Sequence, residues 1–541
     1  MTTRITPPAN VKRRRRLRNR RIIIVTVVAL ALAGGGWAGT HYLKARNIDA
    51  AEQARRCPGL DSTSGEGFAL SKTTDGQCIG WIIERDHHFG SANPGVAAVI
   101  SKIVDENKRV RDQHDIAGSK PYVRVGVLMP MTSAPGSAMI ADEIMHSLQG
   151  AYAAQLKANQ PDSSELGDPT PLIQLVLANE SLDHSGWPGV VAQLGRLRGG
   201  DHPLVAVTGL GISVPDTREA AEELGRLSIP SIGAVMTADD MVAPWLFKVS
   251  PSNRQFAQSL KEFLAEQPAA KTGFLVYDRN SEDSYVRSLT TALTETFDDT
   301  YALKEHSSGF NGSKLPPDGT PILFSRIVQD ICLIEPDVLF YSGRDRDLPA
   351  LVNALKNRGR CQNPVKPLAI ATVSTGVPIT QNELDAAQLG MLTASATDPE
   401  AWRTPTPGTP MYYDAFRTLF TTAADKGGAG FTMADLADGY AIMHRDAVAT
   451  AVWAIRRDTE AKEETNTDRG ANPAISELPR SFDVRDALFG LKETPIPGAS
   501  GDIYFKEQPP NNHWPFGKPV PIIRTGAHVA PWASPETYVT K

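Results

Sequence analysis

The chain has 541 residues, of which 41% are hydrophobic and 22% charged, and its formal net charge is -5. That length exceeds the usual size of one compact core, so two or more lobes are expected. A balance so close to neutral argues against a nucleic-acid partner, which would favour a basic domain.

The charge is unevenly placed. Lys12, Arg13, Arg14, Arg15, Arg16, Arg18, Arg20 and Arg21 crowd the N-terminus, and residues 22–39 that follow are apolar except for Thr26. A charge-free run of about 18 residues is near the minimum that spans a bilayer. A basic flank stays cytoplasmic, and only Lys44 and Arg46 follow closely on the other side. This order predicts a cytoplasmic tail (1–21), a signal-anchor helix (22–43) and a large extracytoplasmic remainder on a single-pass cell-membrane protein. A cleaved signal peptide has the same order, and Ala31-Leu32-Ala33 is a passable cleavage site. A lipid anchor on Cys57 fits poorly, because residues 52–56 are polar and hold two arginines.

Four cysteines remain: Cys57, Cys78, Cys332 and Cys361. An even count outside the cytoplasm suggests disulfides, and the short spacings favour Cys57 with Cys78 and Cys332 with Cys361. No CxxC or HxxxH spacing accompanies them, so no metal site is expected, and no cofactor motif appears.

Residues 44–120 are polar and rich in Gly, Ser and Asp, with one amphipathic stretch at 95–111 carrying Val96, Val99, Ile100, Ile103, Val104 and Val110 near helical spacing. They read as a small disulfide-stapled module plus a helix, acting as a stalk or cap; a separate binding module is the alternative. At Tyr122 the character changes. Strands are predicted at 123–130, 173–178, 204–208, 231–235, 273–277, 338–341 and 368–372. Helices are predicted between and around them at 141–157, 190–197, 217–227, 254–266, 284–297 and 348–358. Apolar strands alternating with helices argue for an α/β fold with parallel sheets covered on both faces. Composition marks linkers at 309–320 and 404–410, and a charged, Asn-rich insertion without fixed structure at 459–477.

In open parallel sheets, ligands bind beyond the carboxyl ends of the strands. The loop Gly209-Leu210-Gly211-Ile212-Ser213 follows an apolar strand, and a helix is expected to start near Asp216. Backbone N–H groups and a helix dipole there suit a carboxylate, and Ser213 and Thr237 can donate hydroxyls to it. The alternative is that Ser213 and Asp216 are only N-caps.

The segments taken in order carry a resemblance. They are VRVGVLMPMTS (123–133), LVAVTGLGIS (204–213), IPSIGAVMTADDM (229–241), PWLFKVSPSNRQFAQSLKEFL (244–264), TGFLVYDRNSEDSY (272–285), DVLFYSGRDRDLPALVNALKNRG (337–359), DGYAIMHRDAVATAVWAI (438–455) and IPGASGDIYFKE (496–507). Together the chain resembles the type I periplasmic binding proteins, specifically the substrate-binding proteins of branched-chain amino acid (Leu/Ile/Val) ABC transporters. The resemblance implies two Rossmann-like lobes joined by a hinge over residues 121–530: lobe 1 at about 121–247 and 396–495, lobe 2 at about 248–395 and 496–530. It further implies a small-molecule ligand, amino-acid-like or a related acid, an ABC permease as partner, and no enzymatic activity.

Carried onto this sequence, the ligand positions are Thr132, Ser213, Thr237, Asp283, Arg344 and Ser374. The second lobe departs from the family pattern. Glu282 or Asp283 and Arg344 stand where aromatic residues are usual, and Ser374 or Thr375 replaces the acid expected for an amino group. A more polar ligand than an aliphatic amino acid is implied. A sensor or partner-binding receptor that reuses the fold is the competing function. His444-Arg445-Asp446 copies a kinase triplet without the rest of that machinery, Gly209-x-Gly211 lacks the third glycine of a dinucleotide fingerprint, and His87-His88 reads as a surface pair.

Overall fold

The computed structural model describes residues 52–541 apart from 117–119, 135–136, 162–164, 313–323, 363, 375–378, 407, 469–477, 491–494, 506–512 and 533–537. The basic tail, the run expected to form a membrane anchor, and Thr375 lie outside the described residues. Among the described residues no helix is long and apolar enough to cross a membrane.

Apolar runs build the first sheet from β1 (Ser64–Gly65), β2 (Phe68–Lys72), β3 (Cys78–Ile82), β4 (Tyr122–Met129), β5 (Leu172–Asn179), β6 (Leu204–Gly209), β7 (Ser231–Gly233) and β8 (Leu246–Lys248). Their order is β1-β2-β3-β5-β4-β6-β7-β8, and from β5 through β8 neighbours run parallel. Every residue of β5 is buried, as a strand covered on both faces requires. The covering helices are α1 (Pro94–Asp115), α2 (Ala141–Asn159), α3 (Trp187–Arg196) and α4 (Pro215–Arg226).

The stalk or cap expected at 44–120 is not what forms. Strand β3 pairs antiparallel with β5, Trp81 opposite Ala178, and the six apolar residues singled out in α1 are all buried. Asn107 of α1 locks the two together: its Nδ2 donates to the carbonyls of Ile83 and Leu175, each at 2.7 Å, and its Oδ1 accepts the Leu175 N–H at 2.9 Å. The segment is part of the first lobe. The cysteines pair as their spacing suggested, with Cα–Cα separations of 5.7 Å for Cys57–Cys78 and 6.0 Å for Cys332–Cys361.

After α5 (Asn253–Ala265) the second lobe runs β9 (Gly273–Asp278), α6 (Ser284–Tyr301), β10 (Ser307–Phe310), α7 (Phe324–Ile334), β11 (Val338–Ser342), α8 (Leu348–Leu355), β12 (Leu368–Val373), α9 (Gln381–Ala386) and β13 (Leu389–Ala394). The chain returns to the first lobe as α10 (Tyr413–Thr421), α11 (Tyr440–Asp468) and α12 (Ser481–Phe489). It ends in β14 (Tyr504–Phe505), β15 (Pro515–Phe516), β16 (Pro519–Val520), β17 (Ile522–Thr525) and β18 (Tyr538–Val539). The second sheet has the order β10-β9-β11-β12-β13-β17, with β17 antiparallel at its edge.

Three expectations need correction. Residues 459–468 continue α11 as helix rather than an insertion without fixed structure, because pairs such as Lys462–Asp458 at 2.8 Å brace its polar face. The glycine-rich linker placed at 309–320 begins inside β10. The turn near Gly498 stays with the first lobe past the boundary set at 495, because Asp446 of α11 accepts the N–H groups of Ala499 (2.7 Å) and Ser500 (2.9 Å). That work, together with the Glu165–Arg445–Asp446 ion pairs, gives the kinase-like triplet its structural role.

Three crossings join the lobes. The first leaves β8, where the Lys248 N–H donates to the His513 carbonyl at 3.0 Å. The second leaves β13, where the Ser395 N–H donates to the Pro521 carbonyl at 3.0 Å. The third, residues 513–521, therefore lies against both.

Candidate ligand site between the lobes

The first-lobe side of the site follows from a left-handed turn. Gly209, Leu210 and Gly211 have φ of 90°, 64° and 62°, a path that glycine accepts and leucine resists. Gly211 is further required by its neighbour: a Cβ there would lie 2.3 Å from Cε1 of His184. That imidazole is fully buried, with Nδ1 2.6 Å from Glu180 Oε1. The turn delivers Ser213, whose Oγ accepts the N–H groups of Thr237 at 3.0 Å and Ala238 at 3.2 Å. Ser213 thus ties two loops together, and its own O–H is left to donate into the cleft. It is not the N-cap of α4; Val214 holds that position without a side-chain bond, and Asp216 lies in the first turn.

On the second lobe, Asp283 caps α6 by accepting the N–H groups of Tyr285 (3.0 Å) and Val286 (3.3 Å). The same carboxylate grips Arg344 in two parallel bonds, from Nε and Nη2, both 2.8 Å, the planar fork geometry that arginine favours. Arg344 lies over the Tyr285 ring at 4.8 Å. Its Nη2 also donates across the cleft to the Ser213 carbonyl at 3.2 Å, so the lobes are closed in this structure. Tyr285 donates its hydroxyl to the Val373 carbonyl at 2.6 Å, and Ser374 donates to Asp345 Oδ2 at 2.6 Å.

These groups enclose a cavity of about 120 Å³. Of the six sequence candidates, Ser213, Thr237, Arg344 and Ser374 line it. Asp283 stands behind Arg344 as its partner, and Thr132 is not among the lining residues; its Oγ1 is buried without a hydrogen-bond partner. The sequence reading missed Glu143, Phe256, Tyr285, Asp345 and Tyr440, which complete the wall. Asp345 had a signal, being the neighbour of Arg344 on the same loop. Glu143 could have been read as the third residue of a helix: its Oε2 accepts the Ile140 N–H at 3.0 Å, but Ile140 is no ordinary cap residue.

Beyond β12, where an acid was expected, the structure has Ser374, and the nearest carboxylate in the cavity wall is on the β11 loop. Ser374 reaches that group, Asp345. Burial pushes Asp345 up to about 6, against the opposing pull of Ser374 and Arg344. Burial likewise pushes Glu143 up to about 7, reinforced by nearby Asp345 and Asp438. Hydroxyl donors, a paired arginine, two carboxylates and aromatic faces form a recognition set in a closed cleft, the usual makeup of a small-ligand site.

Comparisons with protein families and with curated protein sequences give no match. Among solved structures, an ABC-transporter substrate-binding protein from Aeropyrum pernix superposes with a TM-score of 0.50 at 16% identity, covering 74% of this chain and 92% of that one. A leucine-bound ABC-transporter substrate-binding protein from Desulfitobacterium hafniense gives 0.49 at 17%, covering 71% and 93%. A leucine-binding protein from Thermotoga maritima gives 0.47 at 14%, covering 77% and 98%. The first of these likenesses shows that the fold, two α/β lobes, is shared with that structure.

Proposed function

We propose that the protein is an extracytoplasmic solute-binding protein that captures a small polar, amino-acid-like ligand between its lobes and presents it to an ABC-type permease. The observation that carries this reading is the cavity that only the closed pair of lobes completes, with Arg344 of one lobe bonded to the Ser213 carbonyl of the other. A ligand carboxylate fits the Ser213 and Thr237 hydroxyls beside the start of α4, and a ligand ammonium fits Asp345. Closure of lobes about a hinge around such a ligand is an established mode of capture. The Aeropyrum pernix neighbour, described as an ABC-transporter substrate-binding protein, supports the same reading through its fold.

The two disulfides and the basic-then-apolar N-terminus support an extracytoplasmic domain held to the cell membrane by residues 22–43. Protease added to intact cells should then digest the large domain; full protection would overturn that topology. The binding reading is tested by titration calorimetry against amino acids and small organic acids, with small-angle scattering to follow closure. One ligand per chain with a Kd on the order of micromolar is expected, about 8 kcal/mol of binding free energy, together with a smaller radius of gyration. Absence of any binding across those classes would overturn it.

A further inference from the structure

We infer that the ligand is net cationic, a diamino acid or comparable small amine, with a positive group lodged between Glu143 of the first lobe and Asp345 of the second. This rests on the solute-binding reading above and narrows it.

The argument is one of charge. Arg344 is the arginine of the inner wall, and Asp283 already neutralises it through two bonds of 2.8 Å. Arg346 also touches the cavity, but it is exposed and solvated. Two carboxylates then remain, one from each lobe, sharing about 120 Å³ when the lobes close. Asp345 uses Oδ2 for Ser374, while its Oδ1 is buried and has no hydrogen-bond partner. Carboxylates brought together this way repel, and each resists ionising while the other is charged. Burial already holds both above the ordinary carboxylate range. A cation placed between them removes the repulsion and satisfies the orphaned oxygen at once. Tyr440 and Phe256 line the same wall, and aromatic rings attract a desolvated cation. A neutral aliphatic amino acid brings a single ammonium for two acids. A second amino group matches the count.

The test is titration calorimetry on the full-length chain with leucine, alanine, 2,4-diaminobutyrate, ornithine, lysine and putrescine. The best of the di-cationic compounds should bind about 100-fold or more tighter than leucine, as expected when a buried charge gains a partner. Glu143→Gln and Asp345→Asn should each shrink that ratio by about tenfold or more, and Glu143→Asp, which keeps the charge, should restore part of it. Thermal melts of each variant establish that it folds. Leucine binding as tightly as the diamino acids overturns the inference and leaves solute binding standing. A ratio unchanged in both charge-removing variants overturns it as well. If none of these compounds binds, the inference is overturned, while the solute-binding reading stands or falls on the wider screen of amino acids and organic acids.

Discussion

Ser213 and Thr237 stand side by side in the cleft but differ in what they hold, and substitution separates the two roles. Thr237→Val keeps the shape and removes a hydroxyl, so it should cost affinity alone: about 1.5–3 kcal/mol for a bond to a charged ligand, or tenfold to a hundredfold in Kd. Ser213→Ala also strands the buried N–H groups of Thr237 and Ala238 that its oxygen accepts. Each stranded donor costs about 1–3 kcal/mol, so this variant should lose stability as well. Calorimetry paired with urea unfolding reads both effects. A Thr237→Val protein that binds like its parent would remove that hydroxyl from the site. Arg344 belongs to the same scale: Asp283 fixes the plane of its guanidinium, and the remaining reach of Nη2 goes to the opposite lobe.

Among the elements, the central strands were legible because parallel pairing buries both faces. Predicted 173–178 and 204–208 became Leu172–Asn179 and Leu204–Gly209, every residue buried. The hairpin β2–β3 was not legible. Its burial alternates, and its polar turn, in which Thr73 and Gln77 bond to one another, gives the composition of a loop. The charged end of α11 misled for a related reason: a polar run reads as unstructured until its pairs at helical spacing are seen. The site divides the same way. Ser213 and Thr237 follow apolar strands at their carboxyl ends, a position that pattern alone can find. Glu143 and Tyr440 meet only because α2 and α11 pack backbone to backbone. A Cβ on Gly150 would lie only 1.9 Å from the Ala441 carbonyl oxygen, and no local pattern announces so long-range a contact.

Across the whole molecule, the two lysines buried among the described residues, Lys248 and Lys518, both lie at the crossings between lobes. Lys248 donates to the Met241 carbonyl at 3.0 Å and lies over Trp514 at 4.2 Å. Burial lowers it to about 7, against a smaller opposing pull from Asp239. The unfolded chain keeps this lysine protonated up to about 10.4, so between those values it binds more protons than the native chain. Stability therefore rises with pH across that window and falls as pH drops toward 7. Lys518, lowered by burial to about 8, adds to the same trend. Urea midpoints at about pH 7 and about pH 9.5 should show the parent gaining stability, and Lys248→Met gaining measurably less. An equal gain in the variant would assign the effect elsewhere. The hairpin at the sheet edge has a mechanical consequence too. Cys57 is bonded to Cys78, Cys78 begins β3, and β3 is bonded to β5. Any force arriving along the preceding chain thus enters the first lobe at its rim, through a covalent link. Were the preceding chain held, the first lobe would be the fixed post, and the second lobe, joined to it covalently by three crossings, the door that swings.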